Sequence, residues 1–113
     1  MHEMSIAEGI VQVIEEQARR QDYQQVTAVW LEIGPLAAIE KESLRFCFDA
    51  VCRNTLAAGA RLEIIDLPGL AWCLGCGQTV AIVRRYDQCP LCGSYQLQVT
   101  AGDELRIKEL EVV

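Results

Sequence analysis

Apolar residues recur at helical spacing in two segments, within residues 4–20 and again from about Glu40 to Arg53. This period of about 3.6 residues predicts two amphipathic helices, each with one buried face. Ser5, with Glu8 three residues later, resembles a capping box, so we expect Met1 to Met4 to form a free arm before the first helix. The two apolar stripes consist of Ala7, Ile10, Val11, Ile14 and Ala18, and of Leu44, Cys47, Phe48, Val51 and Cys52.

Shorter segments rich in β-branched and other apolar residues are predicted to form strands. They lie at residues 26–33, 61–67, 97–100 and 105–113. The first two are followed by Gly34-Pro35 and Pro68-Gly69, which are typical strand terminators. The pattern therefore predicts an α+β fold, in which two helices lie on one face of a small three-stranded sheet.

Residues 70–95 break this pattern, because they hold four cysteines and little periodic hydrophobicity. We expect a zinc-ribbon-like module, too small to fold around a core of its own, inserted between the second strand and the last. The predicted domains are an α/β lobe of residues 1–69 plus 98–113 and a cysteine module of residues 70–97.

Length and charge restrict the function further. A chain of 113 residues is expected to form one compact domain with a small insertion. Its net charge of −6 argues against a nucleic-acid partner, which requires a basic face. The chain contains no apolar run long enough for a membrane span, and its start lacks the features of a secretion signal. These features predict a cytoplasmic protein, in which paired cysteines indicate a metal rather than disulfides.

The most specific motif is a pair of C-x-x-C sequences separated by twelve residues. Two intervening residues allow both thiolates of a pair to reach one ion, and the glycine after each pair permits a tight turn. Four protein thiolates favour zinc or iron and leave no open position, so the predicted site is structural, with zinc preferred. A pair of redox-active dithiols is the alternative reading. The four cysteines are Cys73, Cys76, Cys89 and Cys92.

Cys47 and Cys52 are interpreted separately, as small apolar residues of the second helix. Five residues of helix turn them about 140° apart, which is too far for both to bind the same ion. We therefore predict that both belong to the hydrophobic core.

The start of the chain, Met1-His2-Glu3, contains the only histidine. Such a histidine can be an exposed bystander. A free α-amine, the amide nitrogen of His2 and its imidazole can nevertheless form fused chelate rings around one ion. Deprotonated amides favour metals that accept a planar nitrogen field, Ni(II) or Cu(II). Glu3 adds a further amide nitrogen and a carboxylate.

Taken together, these motifs resemble the HypA/HybF family of hydrogenase maturation factors over essentially the whole chain. The resemblance is carried by Met1-His2-Glu3, the Val29–Gly34 segment, Phe46-Cys47-Phe48-Asp49 with Val51-Cys52, and the four cysteines. It implies a nickel metallochaperone that helps insert Ni(II) into the large-subunit precursor of [NiFe]-hydrogenase together with the GTPase HypB. In some organisms the family also serves urease and its accessory proteins.

The resemblance also implies roles for individual residues. His2 becomes the nickel ligand, supported by main-chain nitrogens near Met1 and by Glu3, and the four cysteines become structural zinc ligands. Glu40 stands where some family members have an aspartate that approaches nickel, so it is a weaker candidate. A zinc-ribbon adaptor with no nickel role is the alternative function. An enzyme is not expected, because one histidine and a closed metal site provide no catalytic constellation.

Overall fold

The computed structural model describes residues 2–113 and shows two helices and two small three-stranded sheets. One sheet has the strand order β2-β1-β6 and the other β4-β3-β5. The predicted α+β class is confirmed, and the predicted sheet is the first of the two. The elements are α1 (Glu3–Gln21), β1 (Val26–Ile33), a 3-10 turn (Pro35–Ala37), α2 (Lys41–Cys52), β2 (Arg61–Asp66), β3 (Gly69–Cys73), β4 (Thr79–Ile82), β5 (Leu97–Ala101) and β6 (Leu105–Val112).

Helix α1 begins earlier than predicted, at Glu3. His2 is its N-cap, its side chain makes no capping hydrogen bond, and its carbonyl accepts the N–H of Ile6 at 3.0 Å. The predicted capping box at Ser5 is therefore wrong, as is the free arm for residues 2–4. A contact distant in sequence explains the difference: Glu3 is buried, and its carboxylate accepts the backbone N–H of Glu40 at 3.2 Å.

The chain divides into two compact units. The first comprises Met1–Leu31, Ile39–Ile64 and Ile107–Val113 and contains both helices. The predicted stripes supply much of its core, including Ile14 of α1 and Phe48 of α2. In β1, the neighbouring residues Ala28 and Val29 are both fully buried, so this central strand is covered on both faces.

The second unit comprises Glu32–Ala38 and Ile65–Arg106 and contains the cysteine-rich sheet. Strand β3 pairs antiparallel with both β4 and β5. The cysteine module was expected to be too small to fold around a core of its own. A small hydrophobic cluster forms around the sheet, and one of its buried members comes from outside residues 70–97. Two cysteines and Leu36, which comes from the 3-10 turn, belong to that cluster. Its buried members are Leu36, Ala71, Cys73, Val80, Ile82 and Cys89.

Close backbone contacts hold the 3-10 turn in the second unit. The N–H of Leu36 donates to the carbonyl of Gly102 at 2.7 Å, and the N–H of Gly34 donates to the carbonyl of Glu104 at 3.0 Å. A Cβ atom at Gly34 would lie 2.1 Å from the Gly102 oxygen, so this position requires glycine. Within the described residues, no helix is both long and apolar enough to cross a membrane.

Candidate metal centre

The two C-x-x-C segments fold into knuckles with the same hydrogen bonds. The carbonyl of Cys73 accepts the N–H of Gly77 at 2.8 Å, and the carbonyl of Cys89 accepts the N–H of Gly93 at 2.9 Å. Both glycines have positive φ, +67° and +78°, which a residue with a side chain adopts only under strain. The spacing therefore produced the turn that the sequence predicted, once on each side of the site.

A second hydrogen bond closes each knuckle from the other side. The N–H of Cys73 donates to the carbonyl of Gln78 at 2.9 Å, and the N–H of Cys89 donates to the carbonyl of Ser94 at 2.8 Å. Each knuckle is therefore fixed by its own backbone. The first knuckle continues from β3, whereas the second lies in the connection between β4 and β5.

The four cysteine sulfur atoms come together, all within 4.8 Å of one another. Cys73 Sγ lies 3.6 Å from Cys92 Sγ, and Cys76 Sγ lies 3.8 Å from Cys89 Sγ. Four sulfurs at about 2.3 Å from a tetrahedral zinc ion stand about 3.8 Å apart, so the spacing fits such an ion. These two contacts run between the motifs, whereas a redox dithiol would join the two sulfurs of one motif. All six cysteines are free.

The surroundings of the sulfurs favour shared binding of a cation. Burial, together with hydrogen bonds to the neighbouring thiols, raises the pKa of the Cys76 thiol to about 12. Burial also acts to raise the pKa of Cys89, but backbone N–H groups of Cys92 and Leu91 outweigh it and lower this pKa to about 7. Leu91 N lies 3.4 Å from Cys89 Sγ. Backbone N–H groups therefore stabilise the thiolate of Cys89, whereas Cys76 ionises readily only beside a positive charge.

Among residues 2–113, this quartet is the only group of three or more potential ligands arranged around one point. Cys47 and Cys52 lie outside it. Cys52 is 2% exposed, and burial followed by the charge of Asp49 raises its pKa to about 11. Its predicted place in the core is confirmed, whereas Cys47 is only half-buried.

At the start of α1, His2 and Glu3 lie side by side with different exposures. The His2 side chain is 53% exposed and its Nε2 is 3.9 Å from Glu3 Oε2, while the Glu3 side chain is 8% exposed. The hydrogen bond from the Glu40 N–H is the main reason that the pKa of Glu3 falls to about 2. Glu3 is therefore a carboxylate held in place by α2. Met1, the remaining weaker nickel candidate, lies outside the described residues.

Glu40 is the N-cap of α2, a role that the sequence analysis missed. Its carboxylate oxygens accept the N–H groups of Glu42 at 3.2 Å and Ser43 at 3.0 Å. Glutamate is not among the preferred N-cap residues, so no sequence signal marked this position. The same residue contacts Glu3 through its own backbone, which links the start of α2 to the start of α1.

Comparison with known proteins identifies the family. A family model described as "Hydrogenase/urease nickel incorporation, metallochaperone, hypA" matches residues 1–112. The chain belongs to the HypA family. The hydrogenase maturation factor HypA of Azotobacter vinelandii is 75% identical over 112 residues, 99% of each chain. Its counterpart in Alkalilimnicola ehrlichii is 63% identical over the same coverage.

A structural comparison agrees with this assignment. The solution structure of the Ni metallochaperone HypA from Helicobacter pylori superposes with a TM-score of 0.69. It is 25% identical, and the match covers 100% of this chain and 98% of that one. The resemblance seen in the sequence is therefore confirmed: this is a HypA-family protein of hydrogenase maturation, with a four-cysteine metal site.

Proposed function

We propose that this chain carries Ni(II) during hydrogenase maturation, binding it at the N-terminus through His2, with Zn(II) held by the four cysteines as a structural ion. The observation that carries the proposal is the contrast in donors. The cysteine quartet provides four soft sulfur ligands and no open position, which suits a retained zinc ion. A cargo ion needs a different and more open site, and His2 is the only histidine and is exposed.

The helix start is chemically compatible with such a site. The first N–H groups of a helix have no carbonyl partner within the helix, so the amide nitrogens of His2 and Glu3 are not used by α1 itself. The positive end of the helix dipole disfavours a bare cation. Two deprotonated amides would cancel the charge of Ni(II), and the Glu3 carboxylate adds a negative charge 3.9 Å from the imidazole.

Glu3 and Glu40 remain weaker nickel-supporting candidates, together with Met1. Both carboxylates already accept backbone N–H groups, Glu3 from Glu40 and Glu40 from the first turn of α2. If either carboxylate bound nickel directly, it would lose the hydrogen bonds that it accepts from these backbone N–H groups. Glu3 is therefore better suited to holding the neighbouring donors in position than to being the principal ligand.

The proposed partners follow from the family. They are the large-subunit precursor of [NiFe]-hydrogenase and the GTPase HypB, acting in the cytoplasm. Urease accessory proteins would be partners where the family also serves urease. The proposed division of labour assigns nickel to the lobe of residues 1–69 plus 98–113 and zinc to the module of residues 70–97.

The test is nickel titration of zinc-loaded wild type, a His2→Ala variant and a Gln12→Ala control on the exposed side of α1. Calorimetry gives the affinity, and d–d absorption distinguishes a planar, low-spin site. We expect His2→Ala to bind nickel at least about 100-fold more weakly, because a direct ligand matters at least as much as outer-shell partners do. The exposed, non-capping His2 side chain can be removed without loss of the fold.

Two further measurements test the rest of the donor set. Adding residues before Met1 should weaken nickel binding if the α-amine or its neighbouring amide coordinates. Binding should also weaken in acid, because protons compete with nickel for its nitrogen donors. If His2→Ala binds nickel as tightly as wild type, the carrier mechanism is wrong and the zinc-ribbon adaptor replaces it.

A further inference from the structure

The loop after β4 is held in one shape by its own aspartate. Asp87 Oδ2 accepts the N–H groups of Val83 at 3.0 Å and Arg84 at 3.1 Å. The N–H of Asp87 in turn donates to the carbonyl of Arg84 at 3.2 Å. Val83 and Tyr86 nevertheless stay 64% and 90% exposed, and Arg84 and Arg85 are exposed as well. An ordered loop thus presents two cationic and two apolar or aromatic side chains to solvent.

This loop forms one wall of a pocket of about 270 Å³, and the 3-10 turn forms the other. Both walls are fixed by backbone hydrogen bonds, the loop by Asp87 and the turn by the bond from Leu36 to Gly102. The pocket therefore exists before any ligand binds. It is an open depression whose volume is below the roughly 300–1,000 Å³ of most small-molecule sites but sufficient for one apolar side chain of a peptide. Its lining residues are Pro35, Leu36, Ala38, Val83, Arg84, Arg85 and Tyr86.

The charges around the pocket differ from those of the chain as a whole. The protein carries a net charge of −6, but the only Asp, Glu, Lys or Arg residues among 67–102 are Arg84, Arg85 and Asp87, so this stretch is net positive apart from the four cysteines. That acid is engaged by two backbone N–H groups. In the part of the chain that the structure describes, neither arginine makes an ion pair within 4.0 Å. Arg85 therefore remains available to a carboxylate beside an apolar pocket, and Arg84, whose charge acts on Asp87 at longer range, can form a direct pair with a second one.

We propose that this loop and pocket bind a short acidic segment of a partner protein, with one apolar side chain in the pocket and flanking carboxylates on Arg84 and Arg85. Guanidinium groups bind carboxylates through paired hydrogen bonds, and arginine and tyrosine are enriched where interfaces derive most of their affinity. A nucleic acid is disfavoured, because its phosphates extend well beyond two arginines and would meet the acidic remainder of the chain, whereas a short segment contacts the arginines alone.

The test uses a fluorescein-labelled peptide with the sequence Asp-Glu-Leu-Glu-Asp and the full-length, zinc-loaded protein. Fluorescence anisotropy gives the affinity, and chemical shifts of the nitrogen-15-labelled protein identify the residues involved. The variant is Arg84→Gln/Arg85→Gln. The matched control is Arg19→Gln/Arg20→Gln, which removes another adjacent, exposed arginine pair and changes the net charge equally.

We expect the Arg84/Arg85 variant to bind at least about tenfold more weakly, since each charge-assisted hydrogen bond contributes appreciably to affinity. The Arg19/Arg20 control should stay within about twofold of wild type, because electrostatic effects beyond a Debye length are screened. Replacing the peptide leucine with serine should weaken binding about fivefold or more through the lost burial. Chemical-shift changes should centre on residues 35–38 and 83–86.

One further variant separates a shaped site from general charge attraction. Asp87→Ala makes the loop more positive but removes its hydrogen-bonded closure, so we expect weaker binding, whereas charge attraction alone would strengthen it. The proposal is overturned if the two arginine-pair variants weaken binding equally or if Asp87→Ala binds the peptide more tightly than wild type. It is also overturned if wild type binds no peptide at about millimolar concentration.

Discussion

The four sulfur atoms of the cysteine quartet lie within 4.8 Å of one another, each knuckle closed by its own backbone hydrogen bonds. The residues proposed to bind nickel are arranged differently, with an exposed His2 next to a buried Glu3 whose carboxylate accepts the N–H of Glu40. The first set is soft and closed, whereas the second, the proposed nickel site, is reached by solvent at His2. A closed site retains its ion, whereas an open site at a chain terminus can exchange one, as a carrier requires.

The largest expected effect comes from removing a cysteine of the quartet. Cys92→Ala should abolish stoichiometric zinc, about one ion per chain in wild type, because three thiolates no longer close a structural site. The sheet β4-β3-β5 should then lose its fixed structure, since two of the cysteines belong to its small core. Elemental analysis and amide spectra measure both effects.

The control for this prediction is Cys47→Ala, which removes a thiol outside the quartet. It should keep wild-type zinc and wild-type amide spectra. A Cys92→Ala protein with full zinc content would contradict the assignment of four ligands, and wild type purified with neither zinc nor iron would contradict the site itself.

A smaller effect is expected from replacing Glu3, the buried carboxylate next to His2. The pKa of Glu3 is lowered from 4.5 to about 2 in the folded protein, chiefly by the Glu40 N–H. A lowered pKa means that the carboxylate stabilises the fold above about pH 4.5 and that this contribution is lost as the pH falls toward about 2. Glu3→Gln should therefore lower stability at pH 7 and flatten its decline between those pH values.

Thermal unfolding followed by circular dichroism at several pH values checks this prediction. Glu8→Gln, at an exposed position of the same helix, is the matched control and should unfold as wild type does. If Glu3→Gln weakens nickel binding while the fold is intact at pH 7, Glu3 acts on the donors themselves. An unchanged pH dependence in Glu3→Gln would show that the contact with Glu40 does not matter in solution.

The smallest effect should come from the two cysteines of α2. Cys52→Ala should lower the free energy of unfolding by about 1–2 kcal/mol, because the side chain is buried and its replacement leaves a void. Cys47→Ala should lower it by less, about 1 kcal/mol at most, since Cys47 is only half-buried. Urea unfolding measures both. A change in zinc or nickel content in either variant would contradict their placement outside the metal sites.

The local features of this protein could be read from its sequence. The helical period of residues 41–52 produced α2 within one residue of the predicted ends, and the apolar segment 26–33 is β1. The C-x-x-C spacing with its glycines predicted both knuckles and their meeting around one point. These features depend on residues a few positions apart, so the pattern of side chains along the chain carries the necessary information.

Contacts between distant residues were decided only by the tertiary structure. The start of α1 and the low pKa of Glu3 depend on a backbone N–H 37 positions away, at Glu40. The second sheet needed Leu36 from the 3-10 turn, which no local pattern assigned to the cysteine module. The physical reason is the same in both cases. Periodicity shows which face of an element is buried, but only the packed chain shows what that face meets.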